Sequence, residues 1–253
     1  MKIKILTQFP DMFGPVFGES ILGRAAENGI LDIEISNVRD YTKDKHRKTD
    51  DTPYGGGAGM VMTPQPAFDA LRAIGAEGRR VLYMSPRGRI LDHELAKSLA
   101  EEDEFVILCG HYEGVDQRII DAWNMEEVSI GDYILSGGEL AAMVLVDTVA
   151  RLIPGVLGNE NSGNEESIYS GLLEYDQYTK PREYEGFSVP EVLFNGNHEL
   201  IHLWQFENSL RLTKQRRPDL LEKYLDNHKI LSKKEKSILD TVLSEPDTLE
   251  AEQ

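Results

Sequence analysis

The chain reads as an α/β unit with a largely parallel sheet, followed by a small all-helical region. Two observations predict this. Apolar, β-rich runs alternate with helix-period segments from Lys2 to Ile153, the order that builds βαβ units. After Pro154 the composition shifts to Gly, Asn, Ser and Glu, and beyond Pro190 the pattern is helical. A length of 253 residues suits one to two domains with a core large enough to fold without staples.

Each element follows from its local pattern. Lys2–Phe9 is a β-rich apolar run, and Asp11 is expected to cap a helix ending near Asn28, with Gly29 as its stop. Leu31–Asn37 alternates as a strand, and a polar, glycine-rich loop from Arg39 to Met60 follows. Helices are expected at Pro66–Ile74, Asp92–Glu101 and Val115–Trp123. Strands are expected at Arg80–Ser85, Glu104–Cys109 and Glu127–Ile130, and a long apolar helix at Gly138–Ile153. The carboxyl-terminal pattern gives helices at Glu199–Arg211, Pro218–Asn227 and Lys233–Leu243, the last capped by Ser232. The expected division is an α/β domain over 1–157, a flexible linker over 158–181 and a helical domain over 182–253, frayed from Pro246.

Composition narrows the class. Hydrophobic residues make up 40% and mean hydropathy is −0.38, as in soluble globular proteins. The longest apolar stretch, Leu140–Ile153, is too short and too charged to span a bilayer, and Met1-Lys2-Ile3-Lys4 opens no signal peptide. No membrane association and a cytoplasmic location are expected. The single cysteine, Cys109, excludes an internal disulfide framework.

Net charge is −17, which on its face argues against a nucleic-acid partner. The charge is uneven. Asn208–Lys236 carries nine Lys or Arg against four acids, and Arg39–Lys48 five against two. Local patches set partner choice, so nucleic acid stays open, although ordinary solvated helix faces give the same pattern.

Three patterns invite chemistry. His198-Glu199-Leu200-Ile201-His202 matches the H-E-x-x-H of zinc peptidases, where two His one turn apart bind one zinc and the Glu acts as base. Three fixed residues recur by chance in roughly one chain in a hundred, and packing or polar-face roles compete. Gly55-Gly56-Gly57-Ala58-Gly59 permits close backbone approach, but neither a Lys-Ser/Thr nor a third dinucleotide-type glycine follows. The informative set lies at the carboxyl ends of three successive strands: Tyr83-Met84-Ser85-Pro86-Arg87-Gly88, Cys109-Gly110-His111-Tyr112-Glu113-Gly114, and Ile130 through Glu139. Open α/β sheets bind ligands there, and three glycine-bearing loops offer unobstructed backbone groups to a small polar ligand such as a nucleoside.

Together with Tyr54-Gly55-Gly56-Gly57, Arg151-x-Ile153-Pro154-Gly155-Val156-Leu157-Gly158 and Tyr178-Thr179-x-Pro181, these segments resemble the bacterial tRNA (guanine-N1)-methyltransferase family, in order, from Lys2 to about Tyr224. The resemblance implies a SPOUT-type parallel sheet with a deep trefoil knot at the carboxyl end of the α/β unit, and an obligate homodimer with its sites at the interface. It implies S-adenosylmethionine as methyl donor, the guanosine just 3′ of the tRNA anticodon (position 37) as acceptor, and Mg²⁺ as an assisting ion. Donor contacts would fall on Tyr83, Met84, Ser85, Pro86, Gly110, Tyr112, Glu113, Ile130, Gly131, Asp132, Tyr133, Ile134, Leu135, Gly137 and Gly138, with Glu113 toward the sulfonium. No resident metal ligand is implied. The guanine side would take Arg151 and, as base, Glu166, both from the other subunit.

The chain departs from the family pattern in the linker, where Glu165-Glu166-Ser167-Ile168 replaces the usual Glu-Asp-Ser-Phe and Asp176-Gln177-Tyr178-Thr179-Lys180-Pro181 the usual Pro-x-Tyr-Thr-Arg-Pro. His111 stands where some members carry Arg. Guanine N1 carries a proton and is a poor nucleophile until that proton leaves, so a positioned carboxylate suits the reaction. Negative charge then develops on O6, which a guanidinium stabilises. Two rival readings are a tRNA-binding homologue with impaired catalysis and a zinc peptidase using His198, Glu199 and His202.

Overall fold

Period-two burial in the strands splits the core into two layers. On β1 (Lys2–Thr7), Ile3 and Ile5 face one side of the sheet and Leu6 the other. Strand β2 is Asp32–Asn37, and β3 (Asp50–Asp51) pairs antiparallel with β4 (Val61–Met62). On β5 (Arg80–Ile90), Leu82 and Met84 alternate with Val81 and Tyr83; on β6 (Glu104–Cys109), Phe105, Ile107 and Cys109 alternate with Val106 and Leu108. With β7 (Glu126–Ser129) these strands form a five-stranded parallel sheet in the order β2-β1-β6-β5-β7.

Helices cover both faces, as a parallel sheet requires. Helices α1 (Gly14–Phe17) and α2 (Ser20–Glu27) bury Phe17, Leu22 and Ala25 in the first layer, α4 (His93–Ala100) adds Leu95 and Leu99, and α6 (Glu139–Ala150) adds Ala142, Leu145, Val146 and Val149. Helices α3 (Pro64–Ala73) and α5 (Gln117–Ala122) close the second layer with Ala67, Ala70, Leu71, Ile119 and Ile120. The residues described are 1–157, 171–227 and 230–246 of a computed structural model. The chain divides into two units, Met1–Gly163 and Asn164–Gln253.

Two expectations in the first unit need correction. The single helix expected after Asp11 is broken into a 3-10 turn (Pro10–Met12), α1 and α2. Gly14-Pro15 and Gly18 interrupt it, because Pro removes a donor and Gly weakens a helix. Asp11 sits inside the 3-10 turn and caps nothing, whereas Gly29 does end α2, at φ +71°. Strand β5 also runs on to Ile90, past Ser85. Met84 and Arg89 both pair with Val128 of β7, so the four residues between them bulge out of the ladder.

In the second unit, α7 (His198–Arg216), α8 (Pro218–Asp226) and α9 (Lys233–Ser244) enclose Leu210, Leu221, Tyr224 and Val242. Ser232 and Glu235 form a reciprocal capping box at the start of α9. The unit is not wholly helical: β8 (Glu183–Tyr184) and β9 (Phe187–Ser188) form a small antiparallel pair around Gly186, at φ +85°. Residues 171–178, read from sequence as linker, pack onto α7. Leu172 is buried, the Leu173 N–H donates to Thr213 Oγ1 at 2.7 Å, and the Asp176 N–H to Asn208 Oδ1 at 2.6 Å.

Candidate active site

The carboxyl ends of the neighbouring strands β6, β5 and β7 open onto one cleft of about 360 Å³. The β5 bulge supplies Ser85 and Pro86, next to Tyr83 and Met84 of the paired strand. The loop after β6 supplies Tyr112 and Glu113, and the segment between β7 and α6 supplies Ile130, Gly131, Tyr133, Ile134, Leu135, Gly137 and Gly138. Two expected residues do not line it. Asp132 is exposed outside the wall, and Gly110 lies behind Tyr83, where a Cβ would come 2.9 Å from the ring. Arg87, Gly114, Val115, Gln117, Val128, Ser129 and Ala141 also line the cleft. Arg87 and Gly114 belong to the glycine-bearing motifs and were within reach of the pattern; Val115, Gln117 and Ala141 carry no local signal.

Backbone contacts between the loops hold this wall. The Gly138 N–H donates to the Gly110 carbonyl at 2.9 Å, and His111 bridges Gly137 antiparallel. The two loops meet so closely that a Cβ on Gly138 would lie 2.9 Å from Cys109 Cα. Tyr112 takes φ +56°, a left-handed conformation that costs a non-glycine residue on the order of 1–2 kcal/mol and persists only where its surroundings impose it. It is also 57% exposed at the cleft. The glycine-rich segment docks beside this loop: the Glu113 N–H donates to the Met60 carbonyl and the Met62 N–H to the Gly114 carbonyl, both at 3.0 Å.

Electrostatics separate the floor from the rim. Burial, then the charge of Glu127, raises the Tyr83 phenol above its ordinary range, so it stays a neutral hydrogen-bonding group. Burial, with Glu139 beside it, pushes the Cys109 thiol well up, which makes it an inert core residue. Arg87 makes a two-pronged ion pair with Glu127 at 3.0 and 3.2 Å.

The remaining candidates lie apart. Arg151 follows the last residue of α6, whose 12 residues place it about 18 Å along the axis from the Gly138 end, and it does not line the cleft. Glu166 lies outside the described residues. The H-E-x-x-H segment forms the exposed first turn of α7 and pairs with α9: His202 Nε2 is 3.1 Å from Glu235 Oε1, and Lys234 donates to Glu199 at 2.6 Å. Those partners leave the peptidase reading without support. Among the described residues no three His, Cys, Asp or Glu side chains gather as a metal site, and no helix is long and apolar enough to cross a membrane.

The model of the tRNA (guanine-1)-methyltransferase TrmD family matches residues 1–223. A tRNA (guanine-N(1)-)-methyltransferase of Clostridium perfringens is 54% identical over 224 residues, covering 88% of this chain and 94% of the relative. Its counterpart in Alkaliphilus oremlandii is 52% identical over 252 residues, covering 96% and 99%. That of Ruminiclostridium cellulolyticum is 53% identical over 234 residues, covering 91% and 100%. With motif loops, parallel sheet and near full-length similarity in agreement, the chain belongs to the tRNA (guanine-1)-methyltransferase family.

Proposed function

We propose that this enzyme transfers the methyl group of S-adenosylmethionine to N1 of the guanosine just 3′ of the anticodon, position 37, in tRNA, within the cytoplasm. The observation that carries the reading is the convergence of three glycine-bearing loops on one cleft. Its volume falls within the ordinary range for small-ligand sites, and its walls suit an adenosine. Tyr83, Met84, Ile130 and Leu135 offer apolar surface, and the Gly137–Gly138 turn, where a Cβ would collide with His111 and Cys109, offers backbone groups. We read the loops as a SPOUT-type trefoil knot, and residues 1–157 as the donor-binding domain. The segment 158–181 joins it to the domain 182–253, whose basic stretch Asn208–Lys236 holds the anticodon arm.

The donor, when bound, supplies an activated sulfonium methyl group. The residues of the chain do the rest. Glu166 takes the proton from guanine N1, making that nitrogen nucleophilic. Arg151 faces O6 and stabilises the charge that develops there. The cleft loops orient the methyl toward N1, so the reaction gains from positioning. Because Arg151 sits at the far end of α6 from its own cleft, the reading requires a homodimer in which Arg151 and Glu166 of the partner subunit complete the site. Glu113, at the rim, faces the sulfonium end, and Mg²⁺ would assist the reaction.

The test is methyl transfer from labelled S-adenosylmethionine to tRNA. Transfer is expected with wild-type tRNA and lost when the guanosine 3′ of the anticodon is replaced. Transfer that persists on the replaced tRNA refutes the position. Binding of tRNA without any transfer favours the impaired homologue.

A further inference from the structure

We propose that Glu139 is a positioning residue for methyl transfer, its buried carboxylate clamping together the loops that form the back of the donor cleft; the inference rests on the functional reading above. Glu139 is the first residue of α6 and only 1% exposed. Thr7 Oγ1, at the end of β1, donates to its Oε1 at 2.6 Å. The His111 imidazole meets its Oε2 through Nε2 at 2.7 Å. Thr7 Oγ1 also accepts the Phe9 N–H at 2.8 Å, so the hydroxyl is held from both sides. A carboxylate placed inside a protein needs such donors, and the helix amino terminus favours its charge.

The arrangement does more than satisfy a buried acid. His111 is the residue that bridges Gly137, and a Cβ on Gly137 would overlap the imidazole and lie 2.6 Å from Glu139 Oε2. The Glu139 carboxylate thus fixes His111, His111 fixes the turn that lines the cleft, and the next residue along is Tyr112 in its left-handed conformation. The Phe9 ring, 4.6 Å from the imidazole, closes the other side. Three segments far apart in sequence are tied at the carboxyl edge of the sheet by one side chain that does not itself line the cleft.

Calorimetric titration of the full-length protein with S-adenosylhomocysteine tests this, alongside thermal unfolding and methyl-transfer kinetics. Glu139→Ala and Thr7→Val are expected to weaken binding by about 10-fold or more, the scale of a lost hydrogen bond to a charged group, with KM for tRNA unchanged. Glu139→Gln, which can still accept from Thr7 and donate to a His111 tautomer, should stay within about threefold of wild type. Loss of thermal stability with unaltered affinity in Glu139→Ala makes the residue merely structural and overturns the inference. If Glu139→Ala fails to fold, wild-type affinity in Thr7→Val overturns it equally. A wild-type chain that binds no S-adenosylhomocysteine defeats the donor-site reading itself, and this inference with it.

Discussion

Gly137 is glycine because the His111–Glu139 pair occupies the space that a side chain would fill. A Gly137→Ala substitution should expel the imidazole or open the turn, weakening S-adenosylhomocysteine binding by at least about tenfold in calorimetry. At Glu166 the chemistry makes a different prediction. Glu166→Ala should lower methyl transfer by on the order of 10²–10⁴ with donor affinity hardly changed, and raising pH should partly restore the rate, because more guanine then loses its N1 proton unaided. Glu165→Ala should change little; if it is the inactive variant instead, the base is assigned one residue too far along. The motif residues of the cleft were legible in sequence because they fall in short, glycine-marked runs. Thr7 and the buried role of Glu139 were not, because their hydrogen bond joins residues 132 positions apart.

Element boundaries were set by local chemistry wherever a cap or stop sits within one turn of the helix it controls. Asp92, where the sequence pattern begins this helix, accepts the Leu95 N–H at 2.8 Å as the cap of α4. That hydrogen bond, followed by the pair with Arg89, lowers its carboxyl below the ordinary range. A carboxyl depressed in the folded state contributes stability above its unfolded value, near 4, and loses it as pH falls through the folded value. Asp92→Asn keeps the cap acceptor, and Asp92→Ala removes it. The Ala variant is therefore expected to lose about 1 kcal/mol near neutral pH, and less in acid, as measured by denaturant unfolding. The helix after Asp11 failed as an expectation for the same local reason in reverse: Gly14-Pro15 and Gly18 outweigh the apolar period.

At the scale of the whole molecule, charge and symmetry take over. On the proposed function a chain of net charge −17 meets RNA through local patches, and the structure divides the carboxyl-terminal patch. Arg211 is paired with Glu207 and Glu245, Arg217 with Asp219, and Lys234 with Glu199, while Arg216 is exposed at the end of α7. Arg216→Ala with Arg217→Ala should weaken tRNA binding and flatten its salt dependence by up to about one unit of slope for each phosphate left without its cation, leaving donor affinity alone. An unchanged slope in filter binding across a salt series places the RNA elsewhere. The proposed dimer makes its own prediction. Arg151→Ala and Gly137→Ala subunits, each impaired alone at donor concentrations below saturation, should rise toward about a quarter of wild-type activity when mixed and reassociated, since half the dimers then contain one intact composite site. No recovery refutes shared sites.

By itself, the sequence determined the five strands of the main sheet and most of the helices, where Gly29, Asp92 and Ser232 end or begin them, and which three glycine-bearing loops line the cleft. All of these depend on neighbours within a few residues, where capping, turn and periodicity rules act. The tertiary structure alone decided that β5 runs past Ser85 through a bulge against β7, and that the glycine-rich segment docks on the Glu113 loop. It alone turned H-E-x-x-H into the exposed, ion-paired start of a helix, and buried Glu139 behind the cleft wall. Each of these outcomes depends on what stands opposite a residue across the fold. A side chain's partner at that range is fixed by sheet order and packing, which no local period encodes.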